Sequence, residues 1–203
     1  SKHTQTLLKS SGTGTSSLWD LRLVQSASHE QIGHLNFRLN NSISASLTLT
    51  GTNNVSMSTA NLPLKKGGDL WNVMLQRTDS SITGSGTQTY RLFVGQQEED
   101  RIIELSAVSM SISGGLTVES QLSGNFFANQ NWAGTGSLHR LSSSNLYVGE
   151  TFTGSIAEFR VWKEPLSASK FKQHILNKKS TVGNNITSSM ENIYYHFKLN
   201  ENW

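Results

Sequence analysis

The stretch that decides the fold is Leu146-Tyr-Val-Gly-Glu-Thr-Phe-Thr-Gly-Ser-Ile-Ala-Glu-Phe-Arg-Val-Trp-Lys-Glu-Pro-Leu166. Side chains on its second half alternate between two faces, as in a half-buried β-strand. One face would carry Ala157, Phe159 and Val161, and the other Ile156, Glu158, Arg160 and Trp162. After it, Pro165 presets a helix entry, Ser167 can cap the helix, and Phe171 and Ile175 recur at helical spacing. The sequence predicts a strand followed by one short helix.

Three segments together resemble laminin-G-like and pentraxin-like domains, which are concanavalin A-like jelly rolls. The first is the stretch above, in which a Gly-x-Ile-x-Glu-hydrophobic-Arg-hydrophobic-Trp strand leads into a Leu-Ser helix start. The second is Asp69–Arg77 with Thr89–Gly95, which looks like that family's paired strands. The third is Asn192–Asn200, which looks like its closing strand. The resemblance implies an all-β, antiparallel two-sheet jelly-roll sandwich with one short C-terminal helix before the last strand.

Composition favours one packed β-domain. The chain has 203 residues, of which 35% are hydrophobic and 15% charged, and it contains no cysteine. Disorder usually combines low hydrophobicity with high charge, and here charge is low. The formal net charge of +3 is too small to steer partners over a long distance. Ser, Thr, Asn, Gln and Gly fill the remainder, as is typical of a β-rich surface.

The domain boundary is placed where the composition changes. Residues Ser10–Ser17 are Gly, Ser and Thr only, so we expect a flexible lead-in over 1–17 and a sandwich over 18–203, embedded in or excised from a longer chain. Further strands are predicted at short intervals, namely Leu18–Val24, Leu35–Leu39, Ile43–Thr50, Val55–Thr59, Ile102–Ile112, Leu116–Glu119, Ser137–Leu141 and Leu146–Val148.

The last strand repeats chemistry found earlier in the chain. His34-Leu-Asn-Phe-Arg-Leu-Asn-Asn41 resembles His196-Phe-Lys-Leu-Asn-Glu-Asn202, and both read as strands that enter an Asn-rich turn. Similar strands in one sandwich explain this better than a duplication. Within the last strand, we expect His196 on the outer face and Tyr195 and Phe197 buried.

An enzymatic hypothesis depends on Glu98, Asp100 and Glu104. Sandwich glycosidases align paired carboxylates on one strand, and even spacing would place these three on one face. The spacing departs from the glucanase pattern, however, and Gly95-Gln-Gln-Glu-Glu-Asp100 reads as a polar hairpin tip. No Gly-x-Ser-x-Gly elbow occurs either. We therefore predict no catalytic residues.

Metal, nucleic-acid and membrane signals are weak. The six histidines lie singly, and Asp20, Asp69, Asp79 and Asp100 are too dispersed to assign a calcium site, although related domains hold calcium at the sandwich rim. We therefore predict no metal and no cofactor. Lys65-Lys66 and Lys178-Lys179 are isolated pairs without interleaved aromatics. No apolar run reaches the length of a membrane span.

One polar loop combines aromatic rings with amides, as sugar-binding sites do. The candidate glycan- or partner-binding residues are Asn125, Phe126, Phe127, Asn129, Asn131 and Trp132. The alternative is a plug over the end of the sandwich. Trp19, Trp71 and Trp162 lie on alternating strands and are expected in the core.

The predicted function is a non-enzymatic structural or recognition module of a larger extracellular or virion assembly, of the phage tail, baseplate or fibre type. The resemblance implies such roles in phage tail proteins and surface adhesins. The alternatives are a carbohydrate-binding adhesin or lectin-like domain and a glycoside hydrolase on a concanavalin-like scaffold. Expected partners are other chains of the same assembly, with cell-surface polysaccharide as a second candidate, and neither nucleic acid nor membrane insertion is expected.

Overall fold

The computed structural model describes residues 4–11, 17–40, 54–65, 67–78, 86–114, 145–185 and 192–199. Within these residues β-strands dominate and one α-helix is present. In chain order the elements are β1 (Thr4–Ser11), β2 (Ser17–Gln25), β3 (Gly33–Asn40), β4 (Asn54–Ser58), β5 (Trp71–Thr78), β6 (Gly86–Glu98), β7 (Arg101–Gly114), β8 (Asn145–Val148), β9 (Phe159–Trp162), α1 (Ala168–Leu176) and β10 (Ile193–Phe197).

The first layer is a five-stranded antiparallel sheet with the order β4-β3-β2-β1-β8. Alternation along β2 turns Trp19, Leu21 and Leu23 to the interior, while the polar residues between them face outward. Leu35 and Phe37 of β3 share the interior face and are buried. The predicted strands Leu18–Val24, Leu35–Leu39 and Val55–Thr59 are thus confirmed to within two residues at each end.

The first strand corrects the predicted flexible lead-in over residues 1–17 for Thr4–Ser11, whereas residues 1–3 and 12–16 lie outside the described residues. Thr4–Ser11 forms β1, which pairs with β2 on one side and β8 on the other. β2 pairs with β1 along most of its length and β8 pairs with it over Leu8–Ser11, and Leu7 and Leu8 pack against the core. Local composition did not predict β1 because the stability of this strand comes from pairing with other strands, one of them far along the chain.

The second layer is a three-stranded antiparallel sheet with the order β5-β6-β7. Tyr90, Leu92 and Val94 of β6 are fully buried and belong to the same core cluster as the interior residues of the first sheet. The rings of Phe37 and Tyr90 lie 5.5 Å apart and so bridge the two layers. Within the described residues, the prediction of an all-β antiparallel sandwich with a single helix before the last strand is confirmed.

Helix α1 packs on the outer face of the three-stranded sheet. Ser167 caps it by accepting a hydrogen bond from the Lys170 backbone N–H, as predicted. Phe171 packs against Phe93 of β6, with ring centroids 5.6 Å apart, and Ile175 is fully buried. These contacts confirm the predicted apolar face of the helix.

A β-bulge at the β6–β7 pairing helps to complete this contact. Gln96 pairs with Glu104 but Gln97 pairs with Ile102, so β7 carries one extra residue. The extra residue moves the Ile102 side chain to the face of the sheet that packs against α1.

The third sheet contains β9 and β10 and is shorter than predicted. Residues 155–158 precede β9 without forming a strand, and Glu158 has a positive φ of 56°. Val161 is buried, but Ala157 is exposed. Alternation therefore identified the strand but not the point where it begins. The predicted strands Ile43–Thr50, Leu116–Glu119 and Ser137–Leu141 lie outside the described residues.

Candidate functional site

The six residues that the sequence nominated for binding glycan or a partner all lie within 115–144, outside the described residues. These residues are Asn125, Phe126, Phe127, Asn129, Asn131 and Trp132. The hypothesis about this loop therefore stays a prediction. The described residues contain four other candidate features: the nominated carboxylates, an apolar groove, a larger cavity beside β5 and a polar sheet face.

The nominated carboxylates surround a hairpin turn. Glu98 ends β6 and pairs with Arg101, the turn contains Glu99 and Asp100, and Glu104 lies on β7 opposite Gln96. Glu98 and Asp100 are exposed. The three carboxylates thus lie on two antiparallel strands and the turn between them, rather than along one strand as the glycosidase arrangement requires. The alternative interpretation, a polar hairpin tip, is confirmed.

An apolar groove of about 560 Å³ runs along the β9–β10 sheet and the end of β8. We call it the aromatic groove. Its walls include Val148, Ile156, Phe159, Tyr195, Phe197 and Leu199. Tyr195 stacks on Phe197 with ring centroids 6.1 Å apart, and Phe197 stacks on Phe159 at 6.5 Å. The three rings form a continuous aromatic row along the groove.

The aromatic groove is exposed, which corrects the prediction that Tyr195 and Phe197 are buried. Tyr195 is 41% exposed, and Phe197 and Leu199 are each 52% exposed. Alternation correctly placed these rings on one face of β10. It could not show whether another layer covers that face.

A charged cluster flanks the groove on the opposite face of β9 and β10. Glu158 Oε2 accepts hydrogen bonds from Arg160 Nη2 at 2.7 Å and from His196 Nε2 at 2.8 Å. Burial raises the pKa of Glu158, but these two hydrogen bonds and the neighbouring positive charges outweigh it and hold the pKa below its ordinary value. Arg160 Nη2 also donates to the carbonyl of Lys178. The cluster ties β9, β10 and the end of α1 together.

The side chain of His174 is held in place by contacts within the fold. Its ring lies 5.6 Å from that of Trp162, and its Nε2 is 2.8 Å from the carbonyl oxygen of Val182. Burial lowers the pKa of His174, and the nearby charges of Arg160 and Lys170 lower it further, against the effect of the Val182 hydrogen bond. The lowered pKa favours the neutral form of the ring, whose Nε2–H donates to the Val182 carbonyl.

A larger cavity of about 700 Å³ opens beside the edge strand β5. Core residues of both sheets line it, and Leu70 and Val73 at its mouth are 45% and 39% exposed. Trp71 Nε1 is buried there without a hydrogen-bond partner among the described residues. The lining combines apolar core residues with polar side chains, among which Asn72 Nδ2 and Gln76 Oε1 are also buried without a hydrogen-bond partner.

The outer face of the five-stranded sheet carries a polar network that we call the guanidinium face: Asp20, Arg22, Asn36, Arg38 and Ser58. Arg38 binds the Asp20 carboxylate through two nitrogens, with Nε 3.0 Å from Oδ1 and Nη2 closer still to Oδ2. Arg22 Nη2 donates to Asn36 Oδ1 at 3.0 Å, and Asn36 Nδ2 donates to Ser58 Oγ at 2.9 Å. Strands β2, β3 and β4 are thereby cross-linked by side chains.

Two guanidinium groups share one carboxylate on this face. Arg22 Nε lies 3.1 Å from Asp20 Oδ1, within ion-pair distance, but it makes no hydrogen bond and is buried. Burial lowers the pKa of Arg22, and the charge of Arg38 lowers it further, while Asp20 partly offsets both effects. The hydrogen bond to Asp20 raises the pKa of Arg38. The Asp20 carboxylate therefore accepts hydrogen bonds from Arg38, whereas it forms only an ion pair with Arg22.

Sequence reasoning missed the guanidinium face, although a signal was present. His34, Asn36 and Arg38 occupy every second position of β3, and Asp20 and Arg22 alternate with the buried Trp19, Leu21 and Leu23. Such alternation places all five polar residues on one face of neighbouring strands. Their cross-strand register was the missing information.

The described part of the chain contains neither a metal-binding cluster nor a membrane-spanning helix. There, no group of three or more His, Cys, Asp or Glu side chains is arranged to hold a metal ion. Among the same residues, no helix has the length and apolar character needed to cross a bilayer.

Comparisons with protein-family models, with curated proteins and with solved structures gave no significant match. The laminin-G-like resemblance therefore stays an expectation from the sequence.

Proposed function

We propose that this protein is a non-enzymatic recognition and structural module that docks other chains of a larger extracellular or virion assembly through the aromatic groove. The observation that carries the proposal is the row of Phe159, Phe197 and Tyr195 at the surface. Soluble proteins rarely leave contiguous apolar patches uncovered, and such patches mark interaction sites. Aromatic residues are also enriched at protein interfaces.

The geometry suits a protein partner. The aromatic groove lies along the β9–β10 pair. A segment of a partner chain could lay its side chains into this groove, which is a common mode of peptide recognition. Phe197 and Tyr195 would be the anchors because they combine large area with exposure.

The proposal that the assembly is a virion or extracellular one is based on the sequence. The low charge, the absence of cysteine and the laminin-G-like resemblance favour a virion or extracellular surface of the phage tail, baseplate or fibre type. The position of Glu98 and Asp100 at an exposed hairpin tip favours recognition over glycoside hydrolysis.

Hydroxyl-radical footprinting of the native assembly tests the proposal. Oxidation of Tyr195 and Phe197 should fall at least severalfold in the assembly relative to the isolated chain, because a partner would cover both rings. Phe197→Ser should reduce incorporation of the chain into the assembly. The matched control is Leu176→Ser, since Leu176 is 46% exposed on α1 and outside the groove, and that variant should be incorporated normally.

Equal oxidation in both states would contradict docking through the groove. Release of sugar from a polysaccharide, abolished by Glu104→Gln, would replace the proposal with a glycoside hydrolase. Neither outcome would depend on the identity of the partner chain.

A further inference from the structure

We infer that the cavity beside β5 binds a linear, uncharged aliphatic chain with an oxygen at each end, and that Gln76 accepts a hydrogen bond from one terminal hydroxyl. The cavity has a volume of about 700 Å³, within the range of roughly 300–1,000 Å³ that small-molecule sites occupy. Gln76 and Asn72, on which the inference depends, do not line the aromatic groove. The inference therefore goes beyond the proposed docking function.

The cavity is elongated, and much of its wall is apolar. Every residue of β5 from Trp71 to Arg77 lines it, so the cavity follows this strand over about 20 Å. Leucines of β1, β2, β3 and β5 form a large part of the wall, namely Leu7, Leu8, Leu21, Leu23, Leu35 and Leu75. An extended chain fits this shape better than a compact ring does, and burial of its methylene groups would supply affinity.

One buried polar atom in the wall is an acceptor that lacks a donor. Gln76 is 7% exposed, and its Oε1 has no hydrogen-bond partner among the described residues. Buried polar groups are nearly always paired in folded proteins, because an unpaired group has lost its hydrogen bonds to water. A ligand hydroxyl would donate to Oε1, whereas an ether, ester or carboxylate oxygen has no hydrogen to donate.

Two buried donors lie toward the other end of β5. Asn72 Nδ2 and Trp71 Nε1 are also without hydrogen-bond partners in the described part of the chain. Asn72 and Gln76 share one face of β5 with Met74 between them, so their backbones lie about 13 Å apart. The two donors would bind a second ligand oxygen. An extended decanediol with its hydroxyls on the two terminal carbons spans a comparable length and is therefore the probe.

The charges along the wall favour an uncharged ligand. Cationic and anionic side chains are nearly balanced in the described lining, which contains Arg77, Arg160, Lys163 and Lys178 against Asp69, Glu158 and Glu164. Arg160 also pairs with Glu158 at 2.7 Å, so part of this charge is already compensated. The acceptor on Gln76 would repel a ligand carboxylate, and the wall offers no clear excess of positive charge to offset that repulsion.

Titration of the isolated chain followed by tryptophan fluorescence tests the inference, because Trp19 and Trp71 both line the cavity. The three probes are decanediol, decanol and the dimethyl ether of decanediol. Decanediol should bind about tenfold more tightly than either of the others, which is the effect of one buried hydrogen bond. Non-specific adsorption would give the opposite order, because decanediol is the least apolar of the three probes.

Gln76→Met removes the acceptor but keeps a side chain of similar length. This variant should bind decanediol about tenfold more weakly. Its affinity for decanol should be nearly unchanged, because decanol can still place its hydroxyl at Asn72. The matched control is Gln96→Met, because Gln96 is 6% exposed on the neighbouring strand and does not line the cavity. That control should bind decanediol like the native chain.

If Gln76→Met does not fold, Val73→Trp provides a second test. Val73 is 39% exposed at the mouth of the cavity, so a larger side chain there should block entry and abolish decanediol binding. The inference is overturned if none of the three probes binds, or if decanol or the dimethyl ether binds as tightly as decanediol. It is also overturned if the folded Gln76 or Val73 variant binds decanediol like the native chain.

The test is separate from that of the docking function. Phe197→Ser, which tests docking through the aromatic groove, should bind decanediol normally because Phe197 does not line the cavity. Failure of either proposal would therefore leave the other standing.

Discussion

Substitution of Gly95 by alanine should loosen the attachment of helix α1 to the sandwich. A Cβ placed on Gly95 would lie 2.3 Å from Ile175 Cδ1, far inside van der Waals contact, and 3.4 Å from the Glu104 carbonyl oxygen. Ile175 is fully buried against the sheet, so its terminal methyl has little room to move. The helix must shift outward or the isoleucine must leave its preferred rotamer.

The cost can be bounded from these contacts. Overpacking by one methyl group in a dense core costs about 1–3 kcal/mol, while replacing glycine recovers about 0.4–1 kcal/mol from the unfolded chain. We therefore expect Gly95→Ala to destabilise the fold by about 1–2 kcal/mol. In a chain of this size that lowers the melting temperature by about 2–8 °C.

Ile175→Val gives the matched test because it removes the very methyl group that clashes. Alone, it should cost about 0.5–1.5 kcal/mol. In that background Gly95→Ala should cost nearly nothing, so the double variant should be about 1–2 kcal/mol more stable than the sum of the single effects predicts. Urea unfolding followed by tryptophan fluorescence measures all four chains. Additive effects within about 0.5 kcal/mol would refute the packing that we describe.

Two further predictions concern the C-terminal half of the fold. Because its folded-state pKa is depressed, Glu158 stabilises the fold above its ordinary pKa of 4.5, and this contribution is lost as pH falls through the folded value. In the Glu158→Gln variant, the unfolding free energy should therefore fall less steeply between pH 5 and pH 3 than in the native chain. An unchanged pH dependence would count against the pair with His196. Ser167→Ala removes the cap on the Lys170 N–H and should cost about 1 kcal/mol in the same urea assay, whereas Ser167→Asp should retain most of it.

Local patterns predicted most of the fold. Two-residue alternation identified the interior of β2 and β3, and the Pro165–Ser167 signal identified the start of α1. Residues whose structure depends on distant partners were predicted less well. Thr4–Ser11 has too few apolar residues to read as a strand, and it is one because β2 and β8 flank it.

In the candidate sites too, local patterns predicted some features, whereas others depend on distant partners. Alternation placed Tyr195 and Phe197 on one face, but their exposure depends on how many layers the chain stacks there. Arg22 and Arg38 were visible as outward-facing positions, yet their convergence on Asp20 required the register of β2 against β3. The pattern along one strand indicates the face on which each side chain lies, but it does not identify the residue opposite on the neighbouring strand.

The place of β1 between β2 and β8 has a consequence for how the protein is made. Leu8 pairs with Leu21 on one side and with Val148 on the other. During synthesis the first edge can be paired almost at once, whereas the second must wait until the ribosome has delivered residue 148. Until then the nascent sheet carries an open edge that can recruit another copy. Pairing of β1 with β8 is slow because a long stretch of chain must be brought together. The yield of folded protein should therefore depend on translation rate and chaperone supply.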